Sequence, residues 1–345
     1  MSRPTTTPTG RRPSMADVAR LAGVSTQTVS RYFTGTGYVG DDTRERVASA
    51  IDELGYRRNL SARNLRSAHT NTVGVLTMGA LNYGSASVLT GLSLAAREAE
   101  YTLSISQLDL DFEAIGWEAE ARRALDHFVS IPVDGIIVST PIRDADAILR
   151  EIERTTPVLV VSERPILPEH AATMHSYTAG YQATRHLVEL GHRDILHVAG
   201  PGTRNEAQAR EEGYRDALSE AGLTPQVAGD ATDWNAGSGH RAGATVDPAA
   251  FTAVLAANDE LALGFMSAMD RRGLRAPDDY SIVGIDDMPS AAYFSPPLTT
   301  MRLDFRSLGA NTFRMLHEEI MTGVAPHHFV LEPELVVRES TRRLD

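Results

Sequence analysis

The sequence predicts an all-α helix-turn-helix head at the N-terminus, followed by a larger α/β core with two lobes of parallel sheet. Three short helical patterns surround a glycine turn between residues 15 and 54. From about residue 71 onward, short apolar runs alternate with helical stretches. The length of 345 residues suits two or three domains, and a hydrophobic content of 42% suits a protein with substantial cores.

The head begins with a polar tail and a capped helix. Residues 1–13 are rich in Thr, Pro, Gly and Arg, so we expect them to be disordered. Ser14 and Asp17 have the spacing of a capping box that opens a helix over residues 15–22. Gly23 supplies the backbone freedom that a sharp turn after this helix needs.

Two further helices complete the predicted head. Ser25 is placed to cap a second helix that contains TQTVSRYF. Asp41 and Asp42 suit the positive end of a third helix, DDTRERVASAIDEL. Apolar residues recur along that third helix and predict one buried stripe, formed by Val47, Ile51 and Leu54.

The second helix has a polar side and an apolar side. At 100° per residue, its polar residues fall on one side, namely Thr26, Gln27, Ser30 and Arg31. Val29 and Tyr32 point the other way, toward the first helix, which offers Val18, Ala19 and Leu21. Two short helices, a glycine turn and a polar outer face together predict a helix-turn-helix.

The polar face has the chemistry of base recognition. A glutamine can bond adenine at two points, an arginine can bond guanine, and a threonine can contact a thymine methyl or a phosphate. The alternative is the solvated face of an ordinary helical bundle. Charge favours DNA, because residues 1–70 hold 11 Arg against 6 acidic residues (+5), whereas the rest holds 22 Arg against 39 (−17). A basic head on an acidic body is typical of a protein whose head meets a polyanion.

Several other classes of protein are not favoured. Cysteine is absent, which excludes disulfides and cysteine-rich zinc sites and fits a reducing cytoplasm. The N-terminus has no apolar run typical of a signal peptide, and no apolar segment approaches the ~20 residues of a membrane span. We expect a soluble cytoplasmic protein with no membrane contact. Neither a metal-binding histidine pattern nor a catalytic motif is present, so no metal, cofactor or enzymatic activity is expected.

The sequence of the core predicts strands that alternate with helices. Its apolar runs are VGVLTM, YTLSISQL, VDGIIVST, PVLVVSE, RDILHVAG, TAVLAAND and YSIVGIDD. Such short, β-branched runs are typical of buried parallel strands. The helices predicted between or after them span residues 86–100, 116–129, 179–190, 206–221, 259–272 and 307–321.

The chain resembles the lactose/galactose repressor (LacI/GalR) family. The likeness lies in MADVARLAGVSTQTVSRYFTG, DDTRERVASAIDELGYRRNLSARNLR, HLVELGHRDILHVAGP, ANDELALG, SIVGIDD and PPLTTMRLDF, and extends over nearly the whole chain. It implies base reading by Thr26, Gln27 and Arg31, with Ser25 and Ser30 on phosphates. It also implies a hinge helix, NLSARNLR (59–66), that contains Asn59 and Ala62 and whose Leu65 wedges into the minor groove.

The resemblance implies a core like that of periplasmic sugar-binding proteins, with an effector between two lobes. Ligands of such sheets lie beyond the carboxyl ends of strands. The positions that match the family's effector contacts are Ser162, Arg210, Trp234, Asn258 and Asp286. Directed hydrogen bonds and an indole face suit a sugar. Alternatively Trp234 is a core aromatic, and the strand-end acids Asp259 and Asp287 cap helices or pair with arginine. Met78, Asn82 and Tyr83 are candidate lining residues of the first lobe.

These features imply a domain plan and a function. The plan is a tail (1–13), a helix-turn-helix domain (14–58), a hinge helix and linker (59–70) and a core (71–345), with an N-lobe at about 71–175 and 302–326 and a C-lobe at about 176–300 and 327–345. The resemblance implies a homodimeric repressor that binds a near-palindromic operator in double-stranded DNA. A mono- or disaccharide is the expected effector, with a purine or another metabolite as the alternative. A sugar receptor that does not bind DNA is the rival class.

Overall fold

The protein divides into two compact units, Met1–Thr70 and Asn71–Asp345. The computed structural model describes residues 13–57, 69–108, 116–139, 156–163, 171–229, 231, 233–324 and 328–344. The predicted hinge segment, with Asn59, Ala62 and Leu65, lies outside the described residues.

The described part of the first unit contains three helices in the predicted order. They are α1 (Met15–Ala22), α2 (Thr26–Thr34) and α3 (Asp41–Leu54). The capping box that opens α1 is present, because the Ser14 side chain accepts from the Asp17 amide while Asp17 accepts from the Ser14 amide. Gly23 ends α1 in the left-handed conformation, at φ 64°, as the predicted turn requires.

A small apolar core holds the three helices together. It consists of Val18, Ala19, Ala22, Val29, Val47, Ala50 and Tyr56. Val29 is fully buried, as its side of α2 predicted. The prediction that Leu21 faces α2 is wrong, since its side chain is 45% exposed and Ala22 is buried in its place. The packed side of α1 therefore ends at Ala22, directly before the glycine turn.

The described residues of the second unit form two six-stranded sheets, each the centre of one lobe. The first sheet has the order β11-β5-β4-β3-β1-β2 and the second has the order β12-β10-β9-β8-β6-β7. Within the described residues every pairing is parallel except β10 with β12. The strands are β1 (Thr72–Met78), β2 (Thr102–Leu108), β3 (Gly135–Ser139), β4 (Val158–Val161), β5 (Ala171–Thr173), β6 (Ile195–Val198), β7 (Gln226–Ala228), β8 (Ala253–Ala256), β9 (Ser281–Asp286), β10 (Thr299–Arg302), β11 (Phe329–Val330) and β12 (Glu334–Val336).

Helices cover these sheets, so the central strands are buried along their whole length. The helices are α4 (Tyr83–Glu98), α5 (Trp117–Ser130), α6 (Ser176–Glu189), α7 (Asn205–Glu220), α8 (Ala236–Thr245), α9 (Asp259–Arg271) and α10 (Phe305–Thr322). All four residues of β4, β6 and β8 are buried, and so are all six of β9. None of the described helices is both long and apolar enough to cross a membrane.

Three pairs of helices cross at glycines that allow backbone contact. At each crossing, a Cβ on the glycine would overlap a carbonyl oxygen of the facing helix. Each pair has one such glycine on each helix: Gly91 and Gly309 between α4 and α10, Gly180 and Gly213 between α6 and α7, and Gly239 and Gly264 between α8 and α9. The Gly180 contact is the carbonyl oxygen of Arg210, so this crossing fixes the position of Arg210.

Two parts of the core differ from the sequence prediction. The segment after Trp234 is a helix over Ala236–Thr245, which is not among the helices predicted from the sequence. The last crossover between lobes also lies later than residue 327, because Phe329 and Val330 pair with Ala172 and Thr173 in the first sheet. The chain enters the second sheet only at β12.

Candidate functional site

The outer face of α2 is accessible, as its polar residues predicted. Thr26, Gln27 and Arg31 are exposed, and Ser30 is half-buried. Val29 lies on the opposite side of the helix and is fully buried in the core of the first unit. The described head therefore presents a row of hydrogen-bonding side chains from the N-terminal half of one short helix.

Local contacts fix the start of α2. The Ser25 hydroxyl oxygen accepts a hydrogen bond from the Thr28 amide at 3.0 Å and so caps the helix, as its position predicted. From α3, the Arg46 guanidinium donates to the carbonyl oxygen of Ala22 at 3.3 Å, directly before the turn. These contacts hold the turn between α1 and α2 without using the polar face of α2.

A cavity of about 1290 Å³ lies between the two lobes of the second unit. The first lobe contributes residues at the carboxyl ends of strands, including Met78, Ser139 and Glu163. The second lobe contributes Gly200 and Asn258 after its own strands. This is the edge at which α/β sheets bind ligands. Four of the five predicted effector contacts line the cavity, namely Arg210, Trp234, Asn258 and Asp286.

An ion pair is buried in the cavity wall. Arg210 Nη2 donates to Asp286 Oδ1 at 3.2 Å, and Arg210 Nη1 donates to the carbonyl oxygen of Ala257 at 2.5 Å. The side chains of Arg210 and Asp286 are only 4% and 10% exposed. Arg210 Nε is buried and has no hydrogen-bond partner among the residues that the structure describes. A buried donor without a partner is unfavourable, so a ligand oxygen at this atom would be stabilised.

Burial raises the pKa of Asp286 to about 6, although the charge of Arg210 lowers it. The backbone of Asp286 also has a positive φ of 122°. Such a conformation costs on the order of 1–3 kcal/mol outside glycine and is frequent at ligand sites. Asp286 is therefore held at the cavity at a cost to the fold.

This cost should depend on pH in a defined direction. The pKa of about 6 lies above the ordinary value of 3.8, so folding binds a proton between these pH values. The charged carboxylate thus destabilises the fold above about pH 6, and the cost is relieved as the pH falls toward about 4. Between about pH 7.5 and about pH 5, we expect the native chain to gain roughly 1 kcal/mol relative to Asp286→Asn. Urea unfolding of both proteins at both pH values measures this gain. A difference in unfolding free energy between the two proteins that is the same at both pH values would contradict the prediction.

Trp234 packs against the ion pair. The Arg210 guanidinium carbon lies 5.2 Å from the centroid of the Trp234 ring, which is within cation–π range. The ring also lies against Gly200, where any Cβ would collide with it. Asn258 Nδ2 donates to the carbonyl oxygen of Trp234 at 3.2 Å, and Asn258 Oδ1 accepts from the Leu261 amide at 2.8 Å. Asn258 therefore caps α9 and orients the tryptophan loop.

Ser162 does not line the cavity, in contrast to the other predicted contacts. It is buried beside β5, where its amide donates to the carbonyl oxygen of Ala172 at 3.2 Å. The neighbouring Glu163 lines the cavity instead. Its carboxylate accepts from the amide and hydroxyl of Ser176, at 3.1 and 2.8 Å, at the start of α6. Glu163 therefore joins the end of β4 to the first crossover between the lobes.

The other strand-end acids have structural partners. Asp259 accepts from Thr300 Oγ1 at 2.6 Å and from the Met288 amide at 2.8 Å, and burial raises its pKa. Asp287 pairs with Arg302 at 2.8 Å and Arg338 at 2.6 Å. The alternative interpretation of Asp287 as an arginine partner thus holds. In the first lobe Met78 and Asn82 line the cavity, and Tyr83 packs on Phe305 instead.

Sequence reasoning missed several charged lining residues: Arg204, Glu206, Glu211, Asp233 and Glu260. Glu206 precedes Arg210 by one helical turn, and Asp233 adjoins Trp234, so spacing could have identified these two. Within the described ranges, no group of three His, Cys, Asp or Glu side chains is arranged to hold a metal ion.

A helix-turn-helix unit followed by a two-lobed α/β unit with a cavity between its lobes defines a class of bacterial transcription regulators. Residues 14–59 match the family described as bacterial regulatory proteins, lacI family, and residues 184–341 match a periplasmic binding protein-like domain. The HTH-type transcriptional repressor PurR of Vibrio campbellii is 33% identical over 345 residues, covering 96% of this chain and 99% of that protein.

Solved structures agree with these matches. The lac repressor dimer bound to operator and the anti-inducer ONPF has a TM-score of 0.85 and 30% identity, and the match covers 96% of this chain and 100% of that one. A complex of the transcriptional regulator CelR with cellobiose has a TM-score of 0.68 and 29% identity, over 95% of this chain and 100% of that one. The chain belongs to the lacI family, and it is a DNA-binding transcriptional repressor with the fold of the lac repressor.

Proposed function

We propose that the chain acts as a homodimer on a near-palindromic operator, and that a mono- or disaccharide in the cavity controls its binding to DNA. The observation that carries the proposal is the convergence of Arg210, Trp234, Asn258 and Asp286 on one cavity between the lobes. A ligand held by both lobes is sensitive to their relative position. Binding can therefore shift an equilibrium between two core arrangements that differ in affinity for DNA.

The lining supports a polyhydroxylated ligand. Arg210 Nε is a buried donor without a partner in the described part of the chain, and the Asp286 carboxylate retains acceptor capacity beyond Arg210. Such paired donors and acceptors suit vicinal hydroxyls, while the Trp234 ring suits the C–H face of a pyranose. The cellobiose complex of CelR, which has the same fold, is consistent with a sugar.

A purine is the second candidate, because the flat faces of Trp234 and Phe305 in the lining could also stack on a base. A thermal-shift screen of sugars and nucleobases separates the two. A ligand of the native state raises the melting temperature by mass action, so only the correct class should do so. If compounds of neither class raise it, the cavity is not the effector site that we propose.

For DNA, we propose that Thr26, Gln27 and Arg31 contact bases and that Ser25 and Ser30 contact phosphates. The exposure of the first three on the N-terminal half of α2 supports this assignment. Asn59, Ala62 and Leu65 would contact DNA from the hinge segment. Two heads in a dimer would then occupy two half-sites.

Arg31→Ala tests base reading. Because a bidentate contact with guanine contributes about 1–3 kcal/mol of discrimination, we expect a loss of that size on an operator selected from random DNA. The preference at one base pair should relax as well. Fluorescence anisotropy with the operator and with unrelated DNA measures both effects.

Arg20→Ala is the matched control, since it removes the same charge from the exposed face of α1. It should weaken binding to both DNAs by similar, smaller amounts, as expected for a purely electrostatic effect. Equal losses of Arg31→Ala on both DNAs would refute base reading by Arg31.

A further inference from the structure

The charge of the cavity is strongly one-sided. Six acidic side chains line its described part, against two basic ones, Arg204 and Arg210. The acidic residues are Glu163, Glu206, Glu211, Asp233, Glu260 and Asp286. Glu163 comes from the first lobe and the others from separate segments of the second lobe, where Glu211 is paired with Arg215 at 2.7 Å.

The positive charge of Arg210 is already neutralised by a carboxylate in the cavity wall, that of Asp286. Its guanidinium donates to the Asp286 carboxylate and to the carbonyl oxygen of Ala257, at 3.2 and 2.5 Å. The Nε of Arg210, which has no partner within the described ranges, can donate to a ligand oxygen, but the guanidinium it belongs to is neutralised by Asp286. Arg204 lies against the backbone of Gly79 in the first lobe, where an added Cβ would collide with its guanidinium.

Burial disfavours the charged form of two acids of the lining. Burial raises the pKa of Glu206, although the charges of Arg204 and Arg210 lower it and only Glu163 acts in the same direction as burial. Burial also raises the pKa of Glu260, with Asp233 acting in the same direction. These two carboxyls lie on different helices, α7 and α9, so the effect is not confined to one corner of the cavity.

We infer that the cavity selects its ligand by charge: it accepts a polyhydroxylated compound that is uncharged or carries an ammonium group, and it rejects the phosphorylated counterpart. This inference rests on the proposal that the cavity is the effector site. A phosphate monoester adds a charge of about −1.5 to −2 near neutral pH. In a cleft lined by one sign of charge, the potential is focused and the local concentration of like-charged solutes falls.

Ion quenching of Trp234 fluorescence tests the inference without any knowledge of the effector. The chain has two tryptophans, and Trp117→Phe leaves only Trp234, which lines the cavity. At constant ionic strength, we expect caesium to quench Trp234 at least about threefold more strongly than iodide, each relative to free tryptophan amide. Acrylamide, which is uncharged, should also quench it, since the residue is half-buried.

Two variants serve as controls. Combining Glu206→Gln and Asp233→Asn with Trp117→Phe should bring the caesium and iodide constants toward equality. Trp234→Phe leaves Trp117, which does not line the cavity and should show no comparable preference. Quenching by iodide that equals or exceeds quenching by caesium would overturn the inference. So would quenching by acrylamide alone, because exclusion of both ions would then not depend on the sign of the charge.

Sugars that differ in charge provide a second test, by ligand binding. Thermal shifts are compared within two sets: glucose, glucosamine and glucose 6-phosphate, and ribose and ribose 5-phosphate. A shift for an uncharged or ammonium member that exceeds that of its phosphate supports the inference, and the reverse order overturns it. If no member shifts the melting temperature, the proposed function fails for these sugars, while the quenching ratio still decides the question of charge.

Discussion

Arg210→Met should abolish the response to the effector and lower the free energy of unfolding of the core by about 3–5 kcal/mol. The substitution keeps the length of the apolar stem but removes the donors to Asp286 and Ala257. The Asp286 carboxylate, with a side chain only 10% exposed, is then left buried without its partner. Urea unfolding measures the stability, and operator binding with and without the ligand found by thermal shift measures the response.

Two controls separate function from folding. Arg215→Met removes an arginine from the same helix, α7, where it forms an exposed pair with Glu211 at 2.7 Å. Exposed pairs contribute about 0–1 kcal/mol, so little change is expected. The double variant Arg210→Met, Asp286→Asn removes the unpaired charge and should recover part of the stability without recovering the response. If Arg210→Met costs no more than Arg215→Met, the buried pair does not stabilise the core in this way.

Gly264→Ala should destabilise the second lobe by at least about 2 kcal/mol, net of the gain in helix propensity. An added Cβ would overlap the carbonyl oxygen of Ala236 and crowd the His240 amide, so α8 and α9 would have to separate. At a helical position with no neighbouring element, the same change would stabilise the protein by roughly 1 kcal/mol. The sign of the measured change in unfolding free energy therefore distinguishes close packing from propensity.

Gly202→Ala is the matched substitution for this experiment. Nothing lies within 4 Å of an added Cβ at Gly202, and its φ is not positive. Its unfolding free energy should match that of the native chain to within about 0.5 kcal/mol. A Gly264→Ala protein as stable as Gly202→Ala would contradict the crossing of α8 and α9 at this point.

Local signals in the sequence predicted much of the fold. The capping box at Ser14 and the turn at Gly23 depend on a few adjacent residues, so they could be read directly. The side of α2 that faces solvent follows from helical periodicity, and the buried strands follow from their unbroken apolar runs. The family resemblance also named Arg210, Trp234, Asn258 and Asp286, which the structure brings to one cavity.

Features that depend on distant contacts were not predictable in this way. Helix α8, AGSGHRAGAT, contains three glycines that favour a loop, but Gly239 and Gly243 allow it to pack closely on α9. The pairing of β11 with β5 joins residues far apart in sequence and moves the last crossover. The sequence around Ser162 and Glu163 does not indicate which of the two residues lines the cavity. That choice depends on how the chain turns after β4.

We propose that the helical head reads DNA while the core binds the controlling ligand. The most direct test compares the full chain with a chain that begins at Asn71, the first residue of the second unit. A palindromic site is first selected from random DNA with the full chain, and gel shifts then measure both proteins on that site. We expect tight, sequence-specific binding by the full chain and none by the shorter chain. Equal binding of the same site by both proteins would contradict it.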